Sequence, residues 1–170
     1  MAIQIIFCLE TNKRANTDYI YIRETIDYLY QTNNQIKISP VYMCTKTKYK
    51  SKDVLREIEK KVKAFTIGQS KVFYCIDTDD YEISAEHENA LQDIRKFCDE
   101  KGFEFIWFCH DVEEVFLGRK VHDSQKVQEA GAFRKRNGIN EVSLKKLSEK
   151  AYRLCTSNII CVLDKYLDRK

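Results

Sequence analysis

The acids of this chain fall where chemistry on a charged substrate would need them. Glu10 ends the apolar run Ile3-Gln4-Ile5-Ile6-Phe7-Cys8-Leu9, and Asp77-Thr78-Asp79-Asp80 ends Val72-Phe73-Tyr74-Cys75-Ile76. Asp111, Glu113 and Glu114 follow a third run, Phe103-Glu104-Phe105-Ile106-Trp107-Phe108-Cys109. Carboxylates held close together raise one another's pKa unless a cation neutralises them. Mg²⁺ suits such a place, because it takes a few carboxylate oxygens and leaves its other positions to water and phosphate. In the spacing Asp77-x-Asp79, two carboxylates leaving a strand can face one pocket while the residue between them points away. Glu10, Asp77 and Asp79 together are therefore the leading metal ligands, although each alone also fits a solvated loop residue, and Asp79 or Asp80 fits a cap for a helix near Ser84.

Positioning these acids requires strands. The three apolar runs suit strands covered on both faces. A fourth, Ile36 to Met43, alternates more and holds the only proline, Pro40, which predicts an edge position. Helical spacing lies between them: Tyr19, Ile22, Ile26 and Leu29; Val54, Ile58, Val62 and Phe65; Ala90, Leu91, Ile94 and Phe97. Ser51 and Ser84 are expected to cap the second and third helices. The alternation predicts an α/β fold with a largely parallel four-stranded sheet flanked by helices. In an open parallel sheet ligands collect beyond the carboxyl ends of the strands, which is the edge carrying the acids. Past Cys109 the pattern gives a short helix near Val112 to Leu117, a polar stretch to Asn140, and a C-terminal helical pair. That pair rests on Leu144, Leu147, Ala151 and Leu154, then on Ile159 to Leu167.

With 170 residues, one domain is expected, an α/β core over residues 1–118 with a basic loop and C-terminal helices over 119–170 packed on it. Hydrophobic residues at 44% and charged residues at 32% give an ordinary globular composition. Neither a signal peptide nor a membrane span is predicted, so a cytoplasmic protein is expected. The seven cysteines are scattered without a CxxC pair, which points to reduced core thiols rather than a disulfide framework or a zinc knuckle. No GxxxxGK[ST] phosphate loop or dinucleotide fingerprint occurs.

A glutamate closing the first strand and a later strand ending in Asp-x-Asp resemble the arrangement of the Toprim domain. Within it the chain looks most like the OLD-type and RloB-like nuclease families. Glu10-Thr11 with Thr17-Asp18-Tyr19 is similar to the loop and helix start of RloB-like proteins, and Asp111-Val112-Glu113-Glu114-Val115-Phe116-Leu117 to the acidic helix after the last strand of OLD-type enzymes. The likeness spans roughly Ile3 to Gly118. It implies Glu10 as general acid or base or as a metal ligand, Asp77 and Asp79 as ligands of Mg²⁺ or Mn²⁺, and Glu113 or Glu114 completing a second metal site. The implied activity is hydrolysis of phosphodiester bonds in RNA or DNA, in defence or nucleic-acid processing. One position departs from the pattern: the glycine usual after the glutamate is Thr11 here.

The basic residues fit a nucleic-acid partner without demanding one. The net charge is only +3, but from Gly118 to Cys155 ten Lys or Arg stand against four Asp or Glu. Lys46 and Lys48, then Arg119, Lys120, Lys126, Arg134, Lys135 and Arg136, are the candidate phosphate contacts. A charge run is as often a solvated face. His87, His110 and His122 show no metal-pair spacing and read as structural or exposed. Two alternatives remain: a non-catalytic Toprim-like nucleic-acid-binding or regulatory subunit, with a protein partner or a second copy, which Thr11 favours, and a receiver-like phosphoacceptor, which lacks its fifth strand.

Overall fold

The computed structural model describes residues 2–170. Its centre is a sheet of four parallel strands in the order β2-β1-β3-β4, formed by β1 (Ala2–Leu9), β2 (Ile36–Tyr42), β3 (Gly68–Asp77) and β4 (Glu104–Phe108). The apolar runs form strands because both faces are covered. Ile5, Phe7, Leu9, Phe73, Cys75, Ile106 and Phe108 enter one core, and Ile6, Cys8, Val72, Tyr74, Ile76, Phe105 and Trp107 enter the other. This split follows from the two-residue period of a strand. Pro40 lies in edge strand β2, where the missing N–H costs no central ladder bond.

Helix α1 (Thr17–Leu29) packs on the first face through Tyr21, Ile22 and Ile26. Helices α2 (Lys52–Lys63) and α3 (Ala85–Lys101) cover the second face through Val54, Ile58, Leu91, Ile94 and Cys98. Both start as expected, with Ser51 Oγ accepting from Val54 N–H at 3.4 Å and Ser84 Oγ from His87 N–H at 3.3 Å. The chain passes from β1 to β2 on one side and returns across β1 to β3 on the other. The strand order therefore reverses between β1 and β3, the place where open α/β sheets bind ligands.

The C-terminal third differs from the periodicity reading in where its helices lie. Beyond α4 (Val112–Leu117), helix α5 (Lys126–Lys135) occupies part of the expected polar stretch. It buries little more than Ala130 and Phe133, too few apolar positions to stand out as a period. Phe133 meets Tyr21 of α1 at a ring separation of 5.0 Å, and Tyr21 stacks on Phe116 of α4 at 5.1 Å. No helix forms over 144–154, where only a 3₁₀ turn at Lys146–Ser148 is present. Leu147 is fully buried, but Leu144 and Leu154 are exposed, so the four periodic residues do not form one face. The residues that follow it serve the free side of β4 instead. Asn158 Oδ1 accepts from Trp107 N–H at 2.9 Å, its Nδ2 donates to Phe105 O at 2.9 Å, and Ser157 Oγ donates to Trp107 O at 2.6 Å. Short helix α6 (Ile159–Leu163) then joins the first core with Ile159, Ile160 and Leu163. Among the described residues no helix is long and apolar enough to cross a membrane.

Candidate metal centre at the strand ends

Parallel register brings Glu10 and Asp77 together. Leu9 pairs with Cys75, so Glu10 stands level with Ile76, one residue short of Asp77. Its Oε1 accepts from Asp77 N–H at 2.7 Å, tying the end of β1 to the end of β3. Thr78 is buried between the two aspartates of the motif, where its N–H donates to Phe108 O and its Oγ1 accepts from His110 N–H at 2.8 Å. The loops after β3 and β4 are thereby stitched to each other.

Two further acids close on this pair. Asp18, in the first turn of α1, is 5% exposed, and its Oδ1 accepts from Thr17 Oγ1 at 3.3 Å. Glu113 of α4 is 1% exposed, and neither of its oxygens makes a hydrogen bond. Lys126, at the start of α5, brings Nζ within 3.1 Å of Glu113 Oε2 and 3.3 Å of Asp111 Oδ2, the first contact too poorly aligned to be a hydrogen bond. On the opposite flank Lys46, in the turn after β2, is buried, donates to Asp77 O at 2.9 Å and pairs with the Asp79 carboxylate. A row of carboxylates therefore lies between two lysines.

The row is electrostatically crowded. Burial pushes Glu10 up to about 8 against the pull of Lys46 and the Asp77 N–H, with Asp18 and Asp79 adding repulsion. Burial, then Glu113, pushes Asp18 up to about 7. Asp77 is raised well above the carboxylate range by burial and by repulsion from Glu10 and Asp18. Burial also raises Glu113, although Lys126 opposes it. Desolvation works against the charge on Lys126, but Glu113 and Asp111 outweigh it and raise its pKa.

The expected residues divide in the fold. Glu10, Asp77 and Glu113 face the row. Asp79 adopts a left-handed backbone, φ 48°, and turns its carboxylate to Lys46. Glu10 and Asp77 share one edge with Asp79 and with Glu113, but neither set of three brings its ligand atoms within 4.8 Å of one another, as one other set among the described residues does. Glu114 points away from Glu113, as successive helical positions must, and its Oε2 meets His110 Nδ1 at 3.2 Å. Asp80 leaves the row for His87, 2.5 Å away. Asp18 and Asp111 join the row although sequence spacing did not single them out as site residues. Asp18 carried a signal, since it opens the helix that follows the strand of Glu10.

The basic residues divide as well. Lys46 and Lys126 belong to the row. Arg119 pairs with Glu129 at 2.7 Å and Arg134 with Glu24 at 3.5 Å. Lys48, Lys120, Lys135 and Arg136 are exposed. Lys120 lines a cleft of about 290 Å³ with Asp79, Asp80, His110, Asp111, Glu114 and Val121. Thr11 is not among the residues with positive φ, so its β-branched side chain sits in an ordinary turn without the freedom of glycine.

Glu10, Asp18, Asp77, Asp111 and Glu113 offer only hard oxygen donors, and the Glu113 carboxylate lacks a hydrogen-bond donor. That donor set fits Mg²⁺ or Mn²⁺ better than a thiophilic metal. The compact set of three is different in kind: ligand atoms of Glu82, Cys109 and His110 lie within 4.8 Å of one another. Neither known protein-family models, nor curated proteins, nor solved structures give a match to this chain.

Proposed function

We propose that this chain is a Mg²⁺- or Mn²⁺-dependent phosphodiesterase of Toprim type, hydrolysing RNA or DNA in the cytoplasm. The observation that carries the reading is the placement of Glu10 and Asp77 in direct contact at the point where the strand order reverses. Glu10, Asp77 and Glu113 would hold the cation, with Asp18 and Asp111 beside them. When bound, such a cation polarises the phosphate and stabilises charge on the entering and leaving oxygens. Glu10, pushed up to about 8 by burial in the metal-free protein, would release its proton to solvent on taking up the cation, so binding should tighten as pH rises. Lys46 and Lys126 hold positive charge at the two flanks of the row, where a phosphate would otherwise meet only carboxylates. Exposed Lys48, Lys120, Lys135 and Arg136 are the remaining phosphate contacts.

The test is cleavage of labelled single- and double-stranded RNA and DNA with Mg²⁺, Mn²⁺ or chelator. Cleavage is expected only with metal and is expected to be lost in Asp77→Ala. Activity surviving that substitution would remove the assigned site. A second reading, a non-catalytic nucleic-acid-binding subunit, is favoured by Lys46 and Lys126, which already counter the acids without any cation. It predicts binding that is indifferent to chelator and produces no turnover.

A further inference from the structure

Outside the acidic row, one cluster has a different chemistry. Cys109 follows β4 and is fully buried, His110 beside it is held in the left-handed region at φ 62°, and Glu82 reaches over from the loop after β3. Their ligand atoms lie within 4.8 Å of one another. His110 Nε2 is 3.0 Å from Glu82 Oε1, while Nδ1 is 3.2 Å from Oε2 of Glu114, which is only 4% exposed. A buried carboxylate on one ring nitrogen, with a second carboxylate on the other and a thiol close by, is how a metal-ligating histidine is oriented.

From this geometry we infer that Cys109, His110 Nε2 and Glu82 form a metal site for a borderline-soft divalent cation of the Zn²⁺ class, oriented by Glu114. Sulfur and imidazole select against Mg²⁺, which the acidic row suits, so the two clusters differ in metal preference. Binding converts Cys109 to its thiolate and leaves His110 Nε2 unprotonated, with the released protons passing to water. Three protein ligands leave a fourth position for solvent or substrate, and His110 lines the 290 Å³ cleft through which either would arrive. The site does not depend on the nuclease reading, since it shares none of the ligands assigned to that cation.

Titration of the metal-free protein with Co²⁺ tests the inference, because cobalt bound to a thiolate gives a sulfur-to-metal charge-transfer absorption. The expected result is saturation at one equivalent in the presence of millimolar Mg²⁺, loss of the band in Cys109→Ser, and its retention in Cys44→Ser and Asp77→Asn. Cys44 is exposed in the loop after β2, at the opposite edge of the sheet. Cys109 is buried and its replacement can unfold the chain, so exposed Glu82 supplies a second variant. Glu82→Gln and Glu114→Gln should weaken Zn²⁺ on the order of 10–100-fold in competition with a chromophoric chelator, with unchanged circular dichroism. Absence of the band, its persistence in Cys109→Ser, or unchanged Zn²⁺ affinity in Glu82→Gln would overturn the site. Loss of the band in Asp77→Asn would overturn its separateness from the acidic row.

Discussion

Raising the pH of the metal-free protein from 5 to 8 should destabilise it, and a divalent cation should reverse the effect. The direction follows from which state holds more protons. In the unfolded chain Glu10 titrates near its ordinary 4.5, whereas in the folded protein it is pushed up to about 8. Asp18 likewise moves from 3.8 to about 7. Between these values the folded state binds more protons, so the stabilisation present below the unfolded pKa is lost as pH rises through the folded one. For Glu10 alone the loss by pH 7 is about 3 kcal/mol. Asp18 adds to this, but the two acids repel each other and their contributions do not sum. For a domain of this size, 3 kcal/mol corresponds to a fall in Tm of about 6–12 °C. A cation at a hundredfold excess over its Kd restores about 2.7 kcal/mol. Differential scanning fluorimetry at pH 5, 6, 7 and 8, in chelator and in Mg²⁺ or Mn²⁺, reads both effects. Asp18→Asn removes one of the titrating acids, so the decline should become shallower and Tm at pH 8 in chelator should rise. A metal-free Tm that stays level or climbs over this range, or an Asp18→Asn profile parallel to the parent's, would refute the electrostatic account of the row.

Four further substitutions have outcomes set by the local packing. Lys126→Met leaves Glu113 buried without its counter-charge and should cost about 3–5 kcal/mol in urea unfolding at pH 8, less at pH 5, with part of the loss recovered by Mg²⁺. Asn158→Ala strips β4 of two hydrogen bonds on its free side and should cost about 2–3 kcal/mol, read from the urea midpoint at unchanged slope. Gly68→Ala would place a Cβ 1.8 Å from Ala2 O in the neighbouring strand, so the β1–β3 register must shift and the soluble yield or Tm should fall sharply, whereas Gly131→Ala meets nothing within 4 Å and should be neutral or stabilising by up to about 1 kcal/mol in Tm measurements.

The sequence by itself determined the strands, the helices between them and the edge on which acids gather. Runs such as Ile3 to Leu9 are apolar at every position but Gln4 because both faces are covered, and that requirement is local enough to be visible in one strand. Capping by Ser51 and Ser84 was legible for the same reason, since a cap bonds three residues away. Helix α5 and the absence of a helix over 144–154 were not legible, because Phe133 finds its partner in Tyr21 and Asn158 finds its partners in β4, more than fifty residues from either by sequence. Only the tertiary structure decided which acids meet. Register set Glu10 against Asp77, and the rotation of a helix sent Glu113 into the row and Glu114 to His110. It also drew Lys46 and Lys126 inward from what reads in sequence as a basic surface. Charge acts through distance in space, and composition along the chain does not encode that distance.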